Sequence, residues 1–252
     1  MPDKQAFFIK ENKIEHIPDE NYDIMDMYVQ LLDAFARTTY ETIYVIDYYR
    51  QNFLYMSDNP LFLCGMSASE VQKMGYDFYL KQVPENELDM LLEINRAGFA
   101  FTESIPIQDR LEYTISYDFH ILQVSGKPML INHKITPLRL TDDGKIWLAL
   151  CSASLSSQAK PGNFEVSRSG HHTYWTYNLQ TRRWTEHQGI ELKENEKDVL
   201  RLSAQGYTIN EISEQLFKSI DTIKSYRRQL FEKLDVDNIT EAISLAVNKK
   251  LI

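Results

Sequence analysis

Residues 206–234 read GYTINEISEQLFKSIDTIKSYRRQLFEKL, and their spacing decides how the C-terminal quarter of the chain folds. Gly206 stands where a left-handed C-terminal cap is needed to close a helix running from about Glu194 to Gln205. Thr208, followed three residues later by Glu211, is a capping box that opens a second helix, with Ile209, Ile212 and Leu216 as its apolar stripe. After a short break at Phe217-Lys218, Ser219 supplies the N-cap of a third helix. A fourth starts near Asn238, again with an acid three residues on (Glu241), and carries Ile243, Ala246 and Val247. A tight break between the second and third helices marks a helix-turn-helix.

Chemistry enters with the third helix. At about 100° per residue, Ile223, Tyr226, Leu230 and Leu234 gather on one side, and Asp221, Lys224, Ser225 and Arg228 lie opposite. Lys and Arg donate to guanine O6 and N7, and Ser donates or accepts, so this outer face has the groups that a major groove needs. Thr222 and Arg227 flank it within reach of phosphates, as does the helix N-terminus. A basic outer face on an amphipathic helix is ordinarily only a solvated face. Here three capped helices, a tight break and cations on the helix after that break occur together, and the combination points to DNA.

The same residues resemble the LuxR-type (GerE-type) helix-turn-helix of bacterial transcription regulators, without a gap from Leu192 to Ile252. The carriers are Glu196, Val199-Leu200, Gly206, Glu211-Ile212, Leu216, Ser219, Thr222-Ile223-Lys224, Arg227, Lys233-Leu234, Val236, Asn238 and Thr240-Glu241-Ala242. The resemblance implies a four-helix domain whose third helix reads the major groove. Lys224, Ser225 and Arg228 would approach base edges. Thr222 and Arg227 would hold phosphates, helped by Thr208 and Asn210 at the start of the second helix. The fourth helix would pair two copies on DNA through the region of Ile243 and Val247. Four positions depart from the usual pattern: Lys193 stands for a Thr, Tyr226 for a His, Asp235 for a Gly and Asp237 for an Arg. The last two remove a helix-ending glycine and a cation near the DNA backbone, which implies modest affinity.

Toward the N-terminus, the serine-rich stretch Ser154 to Gly170, with Pro161, Gly162 and Gly170, reads as loop or linker. Beyond it, Phe164 to Gln188 reads as a hairpin turning at Asn178 to Thr181, rich in aromatic residues (Tyr174, Trp175, Tyr177, Trp184) and in Arg182 and Arg183. Such a pair packs against a neighbouring domain more often than it stacks on nucleic acid. Upstream, Asp23 to Ala36 is helical, with Ile24, Met27, Leu31 and Phe35 recurring as an apolar stripe. Strands are expected over Thr42 to Tyr48 and Phe53 to Ser57, and Ser67 with Glu70 caps a short helix ending near Gly75. Pro84 starts a further helix. The period then changes to two: Tyr113, Ile115, Tyr117, Phe119 and Ile121 alternate with polar residues, and strands over Pro128 to Leu140 and Lys145 to Ala153 follow around the turn Asp142-Asp143-Gly144. This order, with Tyr55-Met56-Ser57-Asp58-Asn59-Pro60 and Val83-Pro84-Glu85-Asn86-Glu87, resembles a PAS domain from about Tyr40 to Ser154. An unrelated antiparallel α+β sandwich is the alternative.

The expected class is α+β: a PAS-like antiparallel sheet with helices, then an all-α four-helix helix-turn-helix domain. Its parts are an N-terminal segment (1–39), a sensor domain (40–160), a linker hairpin (161–188) and a DNA-binding domain (189–252). The net charge of −9 does not exclude nucleic acid, because the residues from Glu191 onward carry ten Lys/Arg against eleven Asp/Glu and most of the excess lies upstream. No apolar run approaches a membrane span, the start lacks a secretory pattern, and Cys64 and Cys151 are too far apart for a paired motif. A cytoplasmic protein is expected. His171, His172 and His187 lack the spacing and the cysteine partner of a metal site, and Cys64 reads as a packed core thiol. No nucleophile elbow, P-loop, dinucleotide fingerprint or zinc-protease motif is present, so no catalytic residue is assigned. The expected partners are double-stranded DNA and a second copy of the chain, with RNA polymerase and a small-molecule signal as further candidates and no membrane. The alternatives are a first domain that only binds protein, or a small enzyme domain fused to the DNA-binding tail. The sequence does not specify a cofactor.

Overall fold

Thr42–Asp47 (β1) has the sequence TIYVID, a run without polar alternation, as expected of a strand covered on both faces. In the computed structural model, which describes residues 4–248 and 251–252, all six residues are buried. Tyr44 and Ile46 face one core, and Ile43 and Val45 face another. Around β1 the chain builds an eight-stranded sheet. Its order is β2 (Asn52–Met56), β1, β5 (Ile146–Leu155), β4 (Pro128–Leu140), β3 (Tyr113–Leu122), β6 (Gly162–Arg168), β7 (Thr173–Asn178) and β8 (Arg183–Gln188). The described strand pairings are antiparallel, for example Tyr44 opposite Cys151 and Tyr117 opposite His133.

Helix α1 (Met25–Ala36) covers the second core, where Met25 meets Ile43, Val45, Tyr55 and Trp147. The first core lies under α2 (Pro60–Leu63), α3 (Ala68–Met74), α4 (Asp77–Gln82) and α5 (Glu85–Ser104), all inserted between β2 and β3. The expected capping box on α3 is formed: Ser67 Oγ accepts from Glu70 N–H, and Glu70 Oε2 accepts from Ser67 N–H at 2.8 Å. Gly98 lets α5 approach the sheet, since a Cβ there would lie 3.0 Å from Ile115 Cδ1. The α+β architecture expected of this region is present.

Two expectations are corrected. The serine-rich stretch is not a linker throughout: β5 runs to Leu155, and Gly162–Arg168 is β6, paired with β3 through Ile115–Val166 and Tyr113–Arg168. Phe164 and Val166, both 1% exposed, supply a period-two signal that the surrounding serines and glycine obscure. Residues 161–188 therefore extend the sheet and do not form a separate connecting hairpin. The turn after Asn178 is as read, with Asn178 Oδ1 accepting from Gln180 and Thr181 N–H. Trp184 packs on Phe101, Phe164 and Tyr177, so its ring adds to the first core. His171 and His172 are exposed, and His187 stacks on Tyr174. Cys64 is buried, and desolvation pushes its thiol up to about 11, so it is an inert packed group.

Within the first core, Tyr44 Oη meets Tyr79 Oη at 2.5 Å and also His133 Nε2. His133 is fully buried and its Nδ1 has no partner among the described residues; burial holds the imidazole neutral, with its pKa pushed down to about 3. The unfolded chain binds this proton below about pH 6.5, and the folded chain does not until far lower pH. The contribution is therefore complete above pH 6.5 and is lost progressively as pH falls toward 3. Urea unfolding is expected to show the part of the chain built on this sheet about 2 kcal/mol less stable at pH 5 than at pH 7. His133→Phe should flatten that slope, and an unaltered slope would place the acid sensitivity elsewhere.

The chain divides by its contacts into Met1–His187 and Gln188–Ile252. The second unit is helical: α6 (Glu194–Ala204), α7 (Ile209–Gln215), α8 (Ile220–Leu234) and α9 (Ile239–Asn248). Leu192, Leu200, Leu230, Leu234, Ala242 and Ala246 form its main core, and Val199, Ile212 and Ile223 form a second cluster.

Candidate DNA-binding interface

Each helix of the second unit starts and stops on local chemistry. Gly206 takes φ +88°, and the N–H groups of Gly206 and Tyr207 return to Ser203 O and Leu202 O, the hydrogen-bond pattern that ends α6. Thr208 then caps α7. Its N–H and hydroxyl both donate to Glu211 Oε2 at 2.7 Å, and the backbone bond in particular holds the Glu211 carboxyl below the usual carboxylate range. Phe217 adopts φ +51° at the break, and Lys218 N–H reaches back to Ser213 O. This is the same kind of helix stop, made without glycine. Ser219 Oγ accepts from Thr222 N–H at 3.1 Å and starts α8.

Asp235, which stands for a usual glycine, takes the left-handed conformation at φ +53°, while Val236 N–H bonds to Phe231 O. A side chain there carries a steric penalty that glycine avoids. Asp235→Gly is expected to stabilise the second unit by about 1 kcal/mol. A neutral or lower urea midpoint would show that the carboxylate makes a compensating contribution.

Packing fixes the rotation of α8. Ile223, Leu230 and Leu234 are buried, and Tyr226 is half-buried against the smaller cluster. The opposite arc therefore faces outward: Lys224 and Arg228 are exposed, with Ser225 half-buried between them. Lys224 Nζ is 4.0 Å from Asp221 Oδ1, and both side chains are largely exposed, so this pair is weak and easily exchanged for a phosphate or a base. Ser225 Oγ accepts from Gln229 Nε2 at 3.4 Å. The three residues expected at base edges thus lie on the side of α8 turned away from the second unit's own core.

The flanking residues are placed differently. Thr222 Oγ1 lies 2.8 Å from Ser219 Oγ, at the first turn of α8. Arg227 is half-buried, with its guanidinium 5.7 Å from the centroid of the Phe231 ring. Thr208 is exposed, but its hydroxyl is engaged by Glu211; Asn210 is exposed on the first turn of α7. On α9, Val247 is 57% exposed, whereas Ile243 packs partly into the unit's own core. One important pair escapes local reading. Glu196, fully buried on α6, accepts from Lys233 Nζ on α8 at 2.7 Å and from Lys193 N–H at 2.8 Å. It holds α8 against α6 and so sets where the outer face points. Its Oε1 has no partner among the described residues.

Comparison with known proteins matches residues 191–246 to the family of bacterial regulatory proteins, luxR family. The second unit is a LuxR-type helix-turn-helix domain. Over 61 residues, 24% of this chain and 28% of the relative, it is 34% identical to the oxygen regulatory protein NreC of Staphylococcus carnosus (strain TM300). Over 67 residues, 27% of this chain and 31% of the relative, it is 37% identical to the response regulator UvrY of Escherichia coli (strain K12). The chain thus spans under a third of the length of either relative. Among solved structures, the phage VqmA–DPO complex aligns over 90% of this chain and 91% of that one, at 18% identity and a TM-score of 0.36. The PAS domain of a protein from Colwellia psychrerythraea aligns over 54% and 98%, at 15% identity and a TM-score of 0.36.

Proposed function

We propose that the protein is a sequence-specific transcription regulator that inserts α8 into the major groove of DNA. Lys224, Ser225 and Arg228 face base edges, while Thr222, Arg227, Thr208 and Asn210 hold phosphates. One observation carries this reading: the side of α8 opposite Ile223, Leu230 and Leu234 carries the exposed cations Lys224 and Arg228 and is turned away from the second unit's own core. Two copies act together, because helix-turn-helix proteins read half-sites about one helical turn (roughly 34 Å) apart. Ile243 and Val247 on α9 contribute to that pairing on DNA. The protein works in the cytoplasm without catalysis, and among its described residues no helix is long and apolar enough to cross a membrane.

The first unit senses a small-molecule signal or mediates pairing. Between α5 and the sheet lies a cavity of about 40 Å³, lined by apolar residues together with Tyr48, Asn95, Thr102 and Tyr117; it has room for only a few waters, so a small-molecule signal would have to widen it. A change in the spacing of two copies alters affinity without touching α8. RNA polymerase is the further partner of such a regulator. Selection from random duplex DNA at a fixed salt concentration tests the reading: a preferred sequence with two related half-sites is expected, and recovery of unenriched sequence would refute it.

A further inference from the structure

An acid occupies the centre of the α8 arc assigned to the major groove. At about 100° per residue, Lys224 and Arg228 lie roughly 60° and 20° to one side of Asp221, and Ser225 about 40° to the other. Asp221 is also in the first turn of α8, and the N-terminal residues of a recognition helix are those that contact base edges. Any docking that brings Lys224, Ser225 and Arg228 to the bases therefore brings this carboxylate with them. Its side chain is 94% exposed, and Lys224 is its one charged partner among the described contacts. The helix start does not need it as a cap, because Ser219 Oγ accepts from Thr222 N–H there. An acid gains from the helix dipole anywhere on a first turn, so the dipole accounts for its presence but not for its direction.

Facing DNA, a carboxylate is repelled by the phosphates unless it meets N–H donors. The major groove offers two kinds, adenine N6 and cytosine N4. Adenine carries the N7 acceptor beside N6, which repels an anion, whereas cytosine has no acceptor next to N4 on that edge. Cytosine N4 also donates to O6 of its paired guanine, so these two atoms lie roughly 2.9 Å apart. On the protein, Lys224 Nζ lies 4.0 Å from Asp221 Oδ1. An acceptor and a cationic donor thus stand side by side on α8, as a donor and an acceptor do on one C·G pair.

We infer that Asp221 accepts from cytosine N4 while Lys224 donates to O6 of the guanine paired with it. Together they read one C·G pair of each half-site, in one orientation. The inference rests on the DNA reading proposed above and adds an acidic member to its base-reading set. On DNA the weak Asp221–Lys224 contact is exchanged for two bonds to the base pair. Where cytosine is missing, the carboxylate faces the groove without a donor, so wrong sequences are penalised as well as the right one favoured.

Selection from random duplex DNA with the full chain, followed by titration at one fixed salt concentration, tests this. The wild-type motif is expected to hold a C·G position in each half-site. Asp221→Ala should reduce the preference for cytosine there by roughly fivefold or more and leave the rest of the motif unchanged. Its affinity for unrelated duplexes should rise, since a negative charge has left the DNA-facing arc. Asp221→Asn should admit adenine at the same position, because a carboxamide meets adenine N6 and N7 together. Neither a dipole role nor general repulsion predicts that change, and circular dichroism of both variants should match the wild type. The inference is overturned if Asp221→Ala selects the wild-type motif, if it tightens binding to all duplexes by one common factor, or if Asp221→Asn rejects adenine as the wild type does. A wild type that selects no duplex at all would remove the DNA reading and this inference with it, whereas a clear wild-type motif indifferent to Asp221 removes the inference alone.

Discussion

Arg228→Ala is expected to weaken binding to the preferred duplex by about 5- to 150-fold, equivalent to ~1–3 kcal/mol, and to relax the base preference at one position of each half-site. The reasoning is geometric. Arg228 lies on the same arc as Lys224 and Ser225, one turn further along α8, and neither the unit's core nor an ion pair among the described contacts restrains it. Guanidinium groups so placed donate two parallel bonds to a guanine edge, which a lysine cannot reproduce. Arg227 is the control. It leans toward Phe231 on the flank of the helix, so Arg227→Ala should weaken all duplexes similarly and reduce the dependence of affinity on salt. Equal loss on preferred and unrelated DNA for Arg228→Ala would remove it from base reading. An unchanged salt slope for Arg227→Ala would remove it from the phosphates.

Lys233→Met is expected to destabilise the second unit by roughly 2–4 kcal/mol, the largest effect on stability anticipated outside the apolar core. Glu196 has no exposure to water, and Lys233 is its only charged partner among the described contacts. Removing the ammonium leaves a buried carboxylate held only by the Lys193 N–H bond, with no opposite charge beside it. Lys233 is itself about one-third exposed, which places the expected loss below that of a fully enclosed pair. Glu196→Gln/Lys233→Met should recover part of the loss by removing the stranded charge, and urea unfolding of the three variants measures both effects. A Lys233→Met variant as stable as the wild type would show that water or another group already satisfies Glu196.

The second unit was legible in the sequence because its instructions are local. Ser219, Thr208 with Glu211, and Gly206 each act within one helical turn, so spacing alone reveals them. The outer face of α8 was legible for the same reason: once Ile223, Leu230 and Leu234 are inward, Lys224 and Arg228 have one direction left. Contacts between distant segments were not legible. Nothing near Glu196 announces Lys233 as its partner, and nothing near Ser154 announces that Phe164 and Val166 will meet β3. On α1 the periodicity identified a helix, but two apolar stripes lie side by side, and only the sheet decides which one it buries. The left-handed Asp235 shows a related effect, in which the helix stop is kept by hydrogen bonding although the residue disfavours it.

We propose that Arg228 reads a guanine from the major groove. The most direct measurement replaces each guanine of the selected duplex, one at a time, by 7-deazaguanine, which lacks the N7 acceptor, and compares wild type with Arg228→Ala. One guanine per half-site is expected whose replacement weakens the wild type but leaves the variant's already reduced affinity unchanged. Additive losses at every guanine would contradict it.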